Sequence, residues 1–427
     1  MSTSKKDKDF VWHPFTHLKL ESENICIEKG LGSHYFDDKG NKYIDAIASW
    51  WVNLHGHSHP HINLKLVQQL QRFEHVMFSG FTHQPAVELA ERLLKHLPKN
   101  QNKIFYSDNG STSVEVALKM ALQFWDNKGE SKPLFVAFEN AYHGDTFGGM
   151  SVGERNVFNN AFEKLLFDVV HIPLPDAENI ERLEEELQNL VKNHSVAAFI
   201  FEPLVQGAAG MLMYEAQYLD RLIKICNQNK VITIADEVMT GFGRTGKFFA
   251  SDFLQNKPDI ICLSKGLTGG YMPLGVTSCS QFIYDGFVSD DKQKTFFHGH
   301  SYTANPLACT AALASMDLME EQRTWIGIDR IVKKHEFFLS KIKTHKAIKN
   351  ARQTGTILAI ELNTAEQSHY LNNASEKITE FFVKSGILIR PLGNVFYILP
   401  PYCISFGDLD FIYTKIEEFL NSWESQH

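Results

Sequence analysis

The amino-acid sequence predicts an α/β protein: a mostly parallel, buried β-sheet flanked by helices, with a smaller α+β lobe. Through the middle of the chain, short apolar runs alternate with longer amphipathic stretches, a pattern typical of strand-helix-strand units. Beyond residue 320 the pattern changes to charged helices and Gly-containing strand segments, which indicates a separate lobe. A chain of 427 residues has room for two or three such lobes.

The large lobe is predicted to contain the buried strands. The run 103–106 leads through a polar turn into a helix, whose apolar residues recur three and four positions apart: Val114, Ala117, Leu118, Ala121, Leu122 and Trp125. Further strands are predicted at 134–138, 196–201, 231–235 and 259–263, with a charged outer helix at 176–192. Each apolar run ends in polar residues, where ligands of open α/β sheets bind.

Both ends of the chain are predicted to form the smaller lobe. The segment 33–41 favours a hairpin turn between strand-like runs. Toward the other end, 354–360 has strand character, 375–385 favours a helix, and 386–390 is largely apolar. We therefore place the smaller lobe at 1–55 and 321–427, and the large lobe at 56–320.

Composition and charge exclude several classes of protein. The net charge of −8 and the lack of a long Lys/Arg stripe argue against a nucleic-acid partner. We expect neither a membrane span nor a secretory signal, since no apolar run reaches 18 residues and the start lacks an apolar stretch. The six cysteines form no CxxC pair, so a reducing cytoplasm is the expected location. A metal is not expected either, because the histidine-rich segment 55–61 lacks cysteines and a helical spacing.

Two charged residues follow predicted strands. Asp236 comes directly after the run 231–235, where it could form a structural ion pair or hold a ligand nitrogen. Lys265 follows the run 259–263 and precedes several glycines, so an apolar sheet end would lower the pKa of its amine. A surface lysine is the alternative. The 29 residues between them allow one crossover between neighbouring strands.

Two polar turns also follow strands. The segment Asn109, Gly110, Ser111, Thr112 offers backbone N–H groups at a helix start, which suit a phosphate group or an ordinary helix cap. Tyr142 and His143 follow the run 134–138, and the Tyr142 ring could face a ligand or simply pack in a turn. Together, a lysine amine, a carboxylate, a phosphate cup and an aromatic ring match the requirements of pyridoxal phosphate.

Two longer motifs carry a family resemblance. The segment 235–246 (ADEVMTGFGRTG) and the segment 258–270 (PDIICLSKGLTGG) resemble the signature of class III, fold type I pyridoxal-phosphate aminotransferases. The resemblance spans about residues 11–405. It implies a large domain with a seven-stranded sheet and a homodimer with active sites at the subunit interface.

Within the class, shorter motifs resemble the members that act in biotin synthesis: 12–15 (WHPF), 49–51 (SWW), 143–148 (HGDTFG), 297–301 (FHGHS), 305–308 (NPLA) and 389–391 (IRP). That branch implies amino transfer from S-adenosyl-L-methionine to 8-amino-7-oxononanoate, giving 7,8-diaminononanoate.

The resemblance also implies roles for individual residues. Lys265 binds the cofactor covalently, Asp236 pairs with its pyridine nitrogen and Tyr142 stacks on it, making these three the expected catalytic residues. Cofactor contacts within the chain are expected from Gly110, Ser111, Tyr142, His143, Asp236, Val238 and Lys265. His300 and Ser301 would reach the cofactor phosphate of the other subunit. Substrate contacts are expected from Phe15, Trp50, Tyr142, Gly299, Arg390 and Tyr397, while Arg244 could be structural, a gate or a direct contact.

Phe15 departs from the pattern, because well-known members of this branch have tyrosine after Trp-His-Pro. The loss of one neutral hydrogen bond costs ~1 kcal/mol, so the preferred amino donor could shift without loss of the reaction. Lysine as donor is one alternative. Another is an ω-aminotransferase for ornithine, 4-aminobutyrate or a diamine, and a third is a cofactor-binding regulator without activity.

Overall fold

The computed structural model describes residues 2–19, 23–365 and 370–424. Its strands are β1 (Ile27–Leu31), β2 (His34–Asp37), β3 (Lys42–Asp45), β4 (Gln101–Ser107), β5 (Leu134–Phe138), β6 (Val169–Ile172), β7 (Val196–Phe201), β8 (Val205–Gln206), β9 (Leu212–Met213), β10 (Ile232–Asp236), β11 (Ile260–Leu263), β12 (Gly275–Ser280), β13 (Ile348–Thr354), β14 (Ile357–Leu362), β15 (Ile387–Leu388) and β16 (Val395–Ile398).

The α-helices are α1 (Thr3–Phe10), α2 (Ala48–Trp51), α3 (Pro60–Leu70), α4 (Gln84–His96), α5 (Gly110–Asn127), α6 (Phe147–Val152), α7 (Ile180–Asn193), α8 (Ala216–Gln228), α9 (Gln281–Asp285), α10 (Pro306–Met319), α11 (Gln322–Ile342), α12 (Ala374–Lys384) and α13 (Phe406–Glu424). Among the described residues, no helix has the length and apolarity needed to cross a membrane.

A seven-stranded sheet forms the centre of the molecule, in the order β4-β12-β11-β10-β7-β5-β6. Strand β12 is antiparallel to both neighbours, and the other pairs are parallel. Alternate residues of β11 contribute to two different apolar cores, Ile260 and Cys262 to one, Ile261 and Leu263 to the other. Both faces of the sheet are therefore covered, which explains the continuous apolar runs in the sequence. The predicted α/β fold is confirmed.

Two smaller sheets hold the chain ends together. Strand β15, late in the chain, pairs in parallel with β3, in a sheet of order β1-β2-β3-β15. Strands β13, β14 and β16, all from the C-terminal part of the chain, form a separate antiparallel sheet. The two ends of the chain thus share one sheet, and the exact boundaries 1–55, 56–320 and 321–427 stay a proposal.

Two predicted segments contain both strand and turn, so the bounds of the turn and of the strands are narrower than expected. The segment 33–41 is not a turn throughout, because its first half is strand β2 and only the part after Asp37 turns back toward β3. The segment 354–360 is not one strand, because β13 ends at Thr354 and β14 starts at Ile357. Gly355, with φ of +55°, makes the turn between them, a conformation that glycine adopts readily.

Candidate active site

A cavity of about 450 Å³ opens at the carboxyl ends of β10 and β11. Its lining includes many of the residues singled out in the sequence: Gly110, Ser111, Tyr142, His143, Asp236, Val238 and Lys265. They come from separate strand ends and from the start of α5, and the parallel sheet brings them to one edge.

Lys265 begins a short 3₁₀ turn one residue after the end of β11. Its φ of +44° is rare for a residue with a side chain, and such strain concentrates at functional sites. Burial lowers the pKa of its amine to about 8, although Asp236 and Glu202 act in the opposite direction. The Nζ atom lies 4.5 Å from the ring centre of Trp51. About a tenth of this amine is therefore neutral, and nucleophilic, at pH 7, far more than for a lysine of ordinary pKa.

Asp236 is the last residue of β10, and its side chain is only 6% exposed. One carboxylate oxygen, Oδ2, lies 2.7 Å from Nδ1 of the buried His143. The other, Oδ1, accepts a hydrogen bond from the backbone N–H of Val238 at 3.1 Å. A carboxylate fixed in this way at a cavity wall is suited to hold a protonated ring nitrogen.

The start of α5 forms the polar end of the cavity. Asn109 and Thr112 cap the helix reciprocally, each side chain accepting from the other's backbone N–H at 2.9 and 3.1 Å. The first N–H groups of a helix have no partner within it, so Gly110 and Ser111 can offer theirs to an anion. A Cβ atom at Gly110 would lie 2.7 Å from Val238 Cγ1, so only glycine fits the observed approach.

The sequence around these residues, and nearly all of the chain, matches a known protein family. The family described as aminotransferase class-III matches residues 18–420. This chain belongs to the class-III aminotransferases.

Several relatives of this class-III chain are similar over nearly their whole length. It is 45% identical to adenosylmethionine-8-amino-7-oxononanoate aminotransferase of Synechococcus elongatus, covering 96% of this chain and 98% of that one. The enzyme of the same name from Geobacter sulfurreducens is 40% identical, with 97% and 96% covered. The crystal structure of that enzyme from Methanocaldococcus jannaschii superimposes with a TM-score of 0.91 at 38% identity, covering 97% and 98% of the two chains.

Class-III aminotransferases use pyridoxal 5′-phosphate, and the donor set of this chain fits that cofactor. Lys265 supplies an amine for the aldehyde, Asp236 a carboxylate for the pyridine nitrogen, and the start of α5 supplies N–H groups for the phosphate. The bound cofactor supplies an electron sink for the charge left when a substrate loses its α-proton. We propose these roles for the three groups.

Tyr142 lies between this cavity and a second one of about 290 Å³, since its side chain lines both. Phe158 lines the second cavity and contacts Phe15 edge to face, with ring centres 6.0 Å apart. Phe15 in turn packs edge to face on Trp50 at 5.7 Å. The Arg390 guanidinium lies over the Trp50 ring at 4.5 Å. The predicted residues Phe15, Trp50 and Arg390 therefore form one cluster.

The turn that carries Trp50 has an unusual backbone. All four residues of α2, Ala48 to Trp51, have φ between +50° and +75°. Left-handed backbone costs roughly 1–2 kcal/mol for each residue with a side chain, so the turn needs support from its surroundings. Asp45 provides it: Oδ1 accepts from Ser49 N at 2.9 Å and Oδ2 from Ser49 Oγ at 2.8 Å, while His57 Nε2 lies 3.0 Å away.

Sequence reasoning missed Asp45 and Glu202. Glu202 directly follows β7, lines the cavity, and accepts hydrogen bonds from Tyr142 N at 3.1 Å and Gly207 N at 2.9 Å. Burial is the main reason that the pKa of its carboxyl rises to about 7. Its position after an apolar run was the same signal that identified Asp236. Asp45 had no such signal, because it lies at the end of a short strand of the smaller lobe and nothing in the sequence marks the turn that it supports.

Two predicted residues lie behind the site. Tyr397 is fully buried and lines neither cavity, and its hydroxyl accepts from Trp51 Nε1 at 2.9 Å. Arg244 is also buried, and its guanidinium donates to the carbonyls of Pro400 and Asn53 at 2.9 and 3.1 Å. Both therefore support the segment 51–53, and a direct substrate contact of Tyr397 stays a prediction.

The predicted residues Gly299, His300 and Ser301 lie away from the cavity of their own chain. They occupy the loop before α10, where Thr303 Oγ1 accepts from the backbone N–H of His300 at 3.1 Å. Two residues flanking them are strongly exposed, Phe297 at 75% and Tyr302 at 66%. Their predicted contact with another subunit stays a proposal.

Proposed function

We propose that this chain transfers an amino group from S-adenosyl-L-methionine to 8-amino-7-oxononanoate, giving 7,8-diaminononanoate in biotin synthesis. The 45% identity over 96% of the chain to an aminotransferase named for these compounds carries the proposal. The donor and acceptor are bound one after the other at the same site, so the site must accept two different substrates.

The residues around the cavity support this choice of acceptor. Phe15, Trp50 and Phe158 offer an apolar, aromatic wall for an aliphatic chain. Arg390, beside Trp50, can bind the distal carboxylate of the acceptor through two parallel hydrogen bonds. The neutral amine of Lys265 is the group that would move the proton from the substrate α-carbon.

We further propose a cytoplasmic homodimer. All six cysteines are free thiols, which suits a reducing compartment. The exposed Phe297 and Tyr302 flank the loop that holds His300 and Ser301, and an interface there would cover these rings.

Single-turnover spectra would test the proposed donor. The purified enzyme, loaded with cofactor, is mixed with one donor at a time, and the absorbance of the bound cofactor is followed. We expect S-adenosyl-L-methionine to bleach it and the aminated enzyme then to convert 8-amino-7-oxononanoate. Bleaching by L-lysine alone would identify a lysine-dependent form of the reaction. Activity with a small ω-amine and 2-oxoglutarate, without any turnover of oxononanoate, would overturn the proposal.

A further inference from the structure

Glu202 is a buried carboxylate in the active-site cavity to which the proposed chemistry assigns no task. It directly follows β7, it lines the cavity, and only 6% of the residue is exposed. In the sheet, β7 lies between β10, which ends at Asp236, and β5, which leads to Tyr142. A buried carboxylate costs free energy unless nearby donors hold it, so its hydrogen-bond partners indicate its task.

The two carboxylate oxygens of Glu202 hold the backbone of two loops. Oε1 accepts from the N–H of Tyr142 at 3.1 Å, and Oε2 accepts from the N–H of Gly207 at 2.9 Å. Tyr142 belongs to the irregular segment between β5 and α6, and Gly207 to the segment between β8 and β9. A Cβ at Gly207 would lie 3.3 Å from the Trp51 ring, so this second loop packs directly against another wall of the cavity. Loss of the carboxylate would therefore release both loops.

The charge of Glu202 also acts on Lys265. Burial raises the pKa of the Glu202 carboxyl to about 7, while His143 lowers it and Asp236 raises it. Ionised Asp236 and Glu202 both raise the pKa of the Lys265 amine, against the effect of burial. The hydroxyl of Tyr214 also faces Glu202, but it donates to the backbone carbonyl at 2.6 Å. Removal of the charge at position 202 should therefore lower the pKa of the lysine.

We propose that Glu202 is a positioning residue of this active site, which holds the two loops so that the Tyr142 ring lies against the cofactor. A buried N–H group that donates to a charged acceptor has little freedom to move, so the ring keeps a fixed place at the cavity wall. This role rests on the predicted stacking of Tyr142 on pyridoxal phosphate, so variants of both residues are needed to separate the two.

A double-mutant cycle between Glu202 and Tyr142 tests this role through the affinity for the cofactor. The loaded enzyme is dialysed against pyridoxal phosphate at graded concentrations, and the absorbance of the bound cofactor gives the dissociation constant. We expect Glu202→Gln to raise this constant by roughly tenfold, since the amide accepts from one N–H group and faces the other with its NH₂ group. In a Tyr142→Ala background, the same change should raise it by about threefold or less, because the ring that Glu202 positions is gone.

The pH dependence of covalent cofactor binding by Lys265 separates the charge of Glu202 from its hydrogen bonds. We expect Glu202→Gln to move the midpoint of the binding rate below pH 8, because a negative charge near the ammonium group is lost. Glu202→Asp keeps the charge, but its shorter side chain cannot reach both loops. Its midpoint should stay at about 8 while its affinity for the cofactor falls. If Glu202→Gln does not fold, Glu202→Asp takes its place in the cycle with Tyr142→Ala.

Glu237→Gln is the matched control for these variants. Glu237 is also buried and accepts from two backbone N–H groups, those of Ala250 at 3.0 Å and Ser251 at 2.6 Å, but it does not line the cavity. This variant should have a lower free energy of unfolding, with an unchanged affinity for the cofactor and an unchanged midpoint.

Three outcomes would overturn the proposal. Equal effects of Glu202→Gln with and without the Tyr142 ring would mean that Glu202 supports the fold and not the ring. Full affinity in Glu202→Gln, with weakened binding in Tyr142→Ala, would remove the role of Glu202 and leave the stacking of Tyr142 intact. Full affinity in Tyr142→Ala would refute the stacking itself and, with it, the role of Glu202.

Discussion

The protonation state of the Lys265 amine should limit the rate at which the cofactor-free protein binds pyridoxal phosphate covalently. Only the neutral amine attacks the aldehyde, and burial lowers the pKa of this lysine to about 8. The neutral fraction therefore rises about tenfold per pH unit below pH 8 and levels off above it. We expect the recapture rate, measured by stopped-flow absorbance, to follow this curve.

An unshifted lysine would give a different profile, with the rate still rising toward pH ~10. Such a profile would contradict the role of burial at this position. The Lys265→Ala variant should show no absorbance change of this kind at any pH, whereas Lys247→Ala, which removes an amine near the ring of Phe253, should behave as the unmodified chain.

Single site residues were predictable where they directly follow an apolar strand. Asp236 and Lys265 have that position, and the structure brings both to one cavity. Glu202 has the same position and was still overlooked, because no second motif marked it. Tyr397 and Arg244 could not be placed from the sequence, since their contacts with Trp51 and Asn53 join segments far apart in the chain.

Among the structural elements, the left-handed turn α2 depends on Asp45. Asparagine at this position can still accept from Ser49 N through its amide oxygen. It has no negative charge, however, and its NH₂ group replaces the second carboxylate oxygen, which contacts Ser49 Oγ and His57. We expect Asp45→Asn to lower the free energy of unfolding by about 2 kcal/mol. Because Trp50 is part of the turn, it should also raise KM for the amino acceptor. Chemical denaturation and steady-state kinetics measure the two effects.

Asp37→Asn is the matched control for this variant. Asp37 also accepts several hydrogen bonds, from Lys39 N at 3.0 Å and from Asn41 N at 2.7 Å, but it supports the turn between β2 and β3. The Asp37→Asn variant should have a lower free energy of unfolding but an unchanged KM for the amino acceptor. Equal KM values for both variants would show that α2 does not position the acceptor.

The elements that the sequence did predict have either a long periodic apolar spacing, as in α5, or a continuous apolar run, as in β7. The turn α2 was not predicted, since nothing in the sequence Ala-Ser-Trp-Trp indicates left-handed backbone. Its conformation is supported by hydrogen bonds from Ser49 to Asp45, four residues earlier, and Asp45 is in turn contacted by His57. The same holds for Gly355, whose φ and contacts depend on a segment of the large lobe.

At the scale of the whole molecule, the Gly355 turn joins the C-terminal sheet to the large lobe. Thr356 N donates to the carbonyl of Arg244 at 2.9 Å, and a Cβ at Gly355 would overlap the backbone of Arg244 and Thr245. We expect Gly355→Ala to lower the free energy of unfolding by about 1–3 kcal/mol more than Gly40→Ala does. Chemical denaturation of the two variants measures the difference. Both glycines have positive φ, but nothing lies within 4 Å of a Cβ at Gly40. Equal losses would mean that φ alone sets the cost.

The proposed dimer predicts that each active site is built from two chains, and mixed dimers can test this. One chain carries Lys265→Ala with an intact loop, and the other carries His300→Ala and Ser301→Ala with an intact Lys265. Each should be inactive or nearly so by itself. In a mixed dimer, one of the two sites combines the intact lysine of one chain with the intact loop of the other. Co-expression with two affinity tags should therefore restore aminotransferase activity.

A second pairing shows whether restored activity really comes from shared sites. Lys265 and Ser111 line the same cavity of a single chain. A mixed dimer of Lys265→Ala and Ser111→Ala chains should then have one altered cofactor group in each site and gain no activity over the Ser111→Ala chain. Recovery in the first pairing and not in the second requires the loop 299–301 to act across the interface. If neither pairing recovers, or if the loop variant is fully active alone, each chain completes its own site.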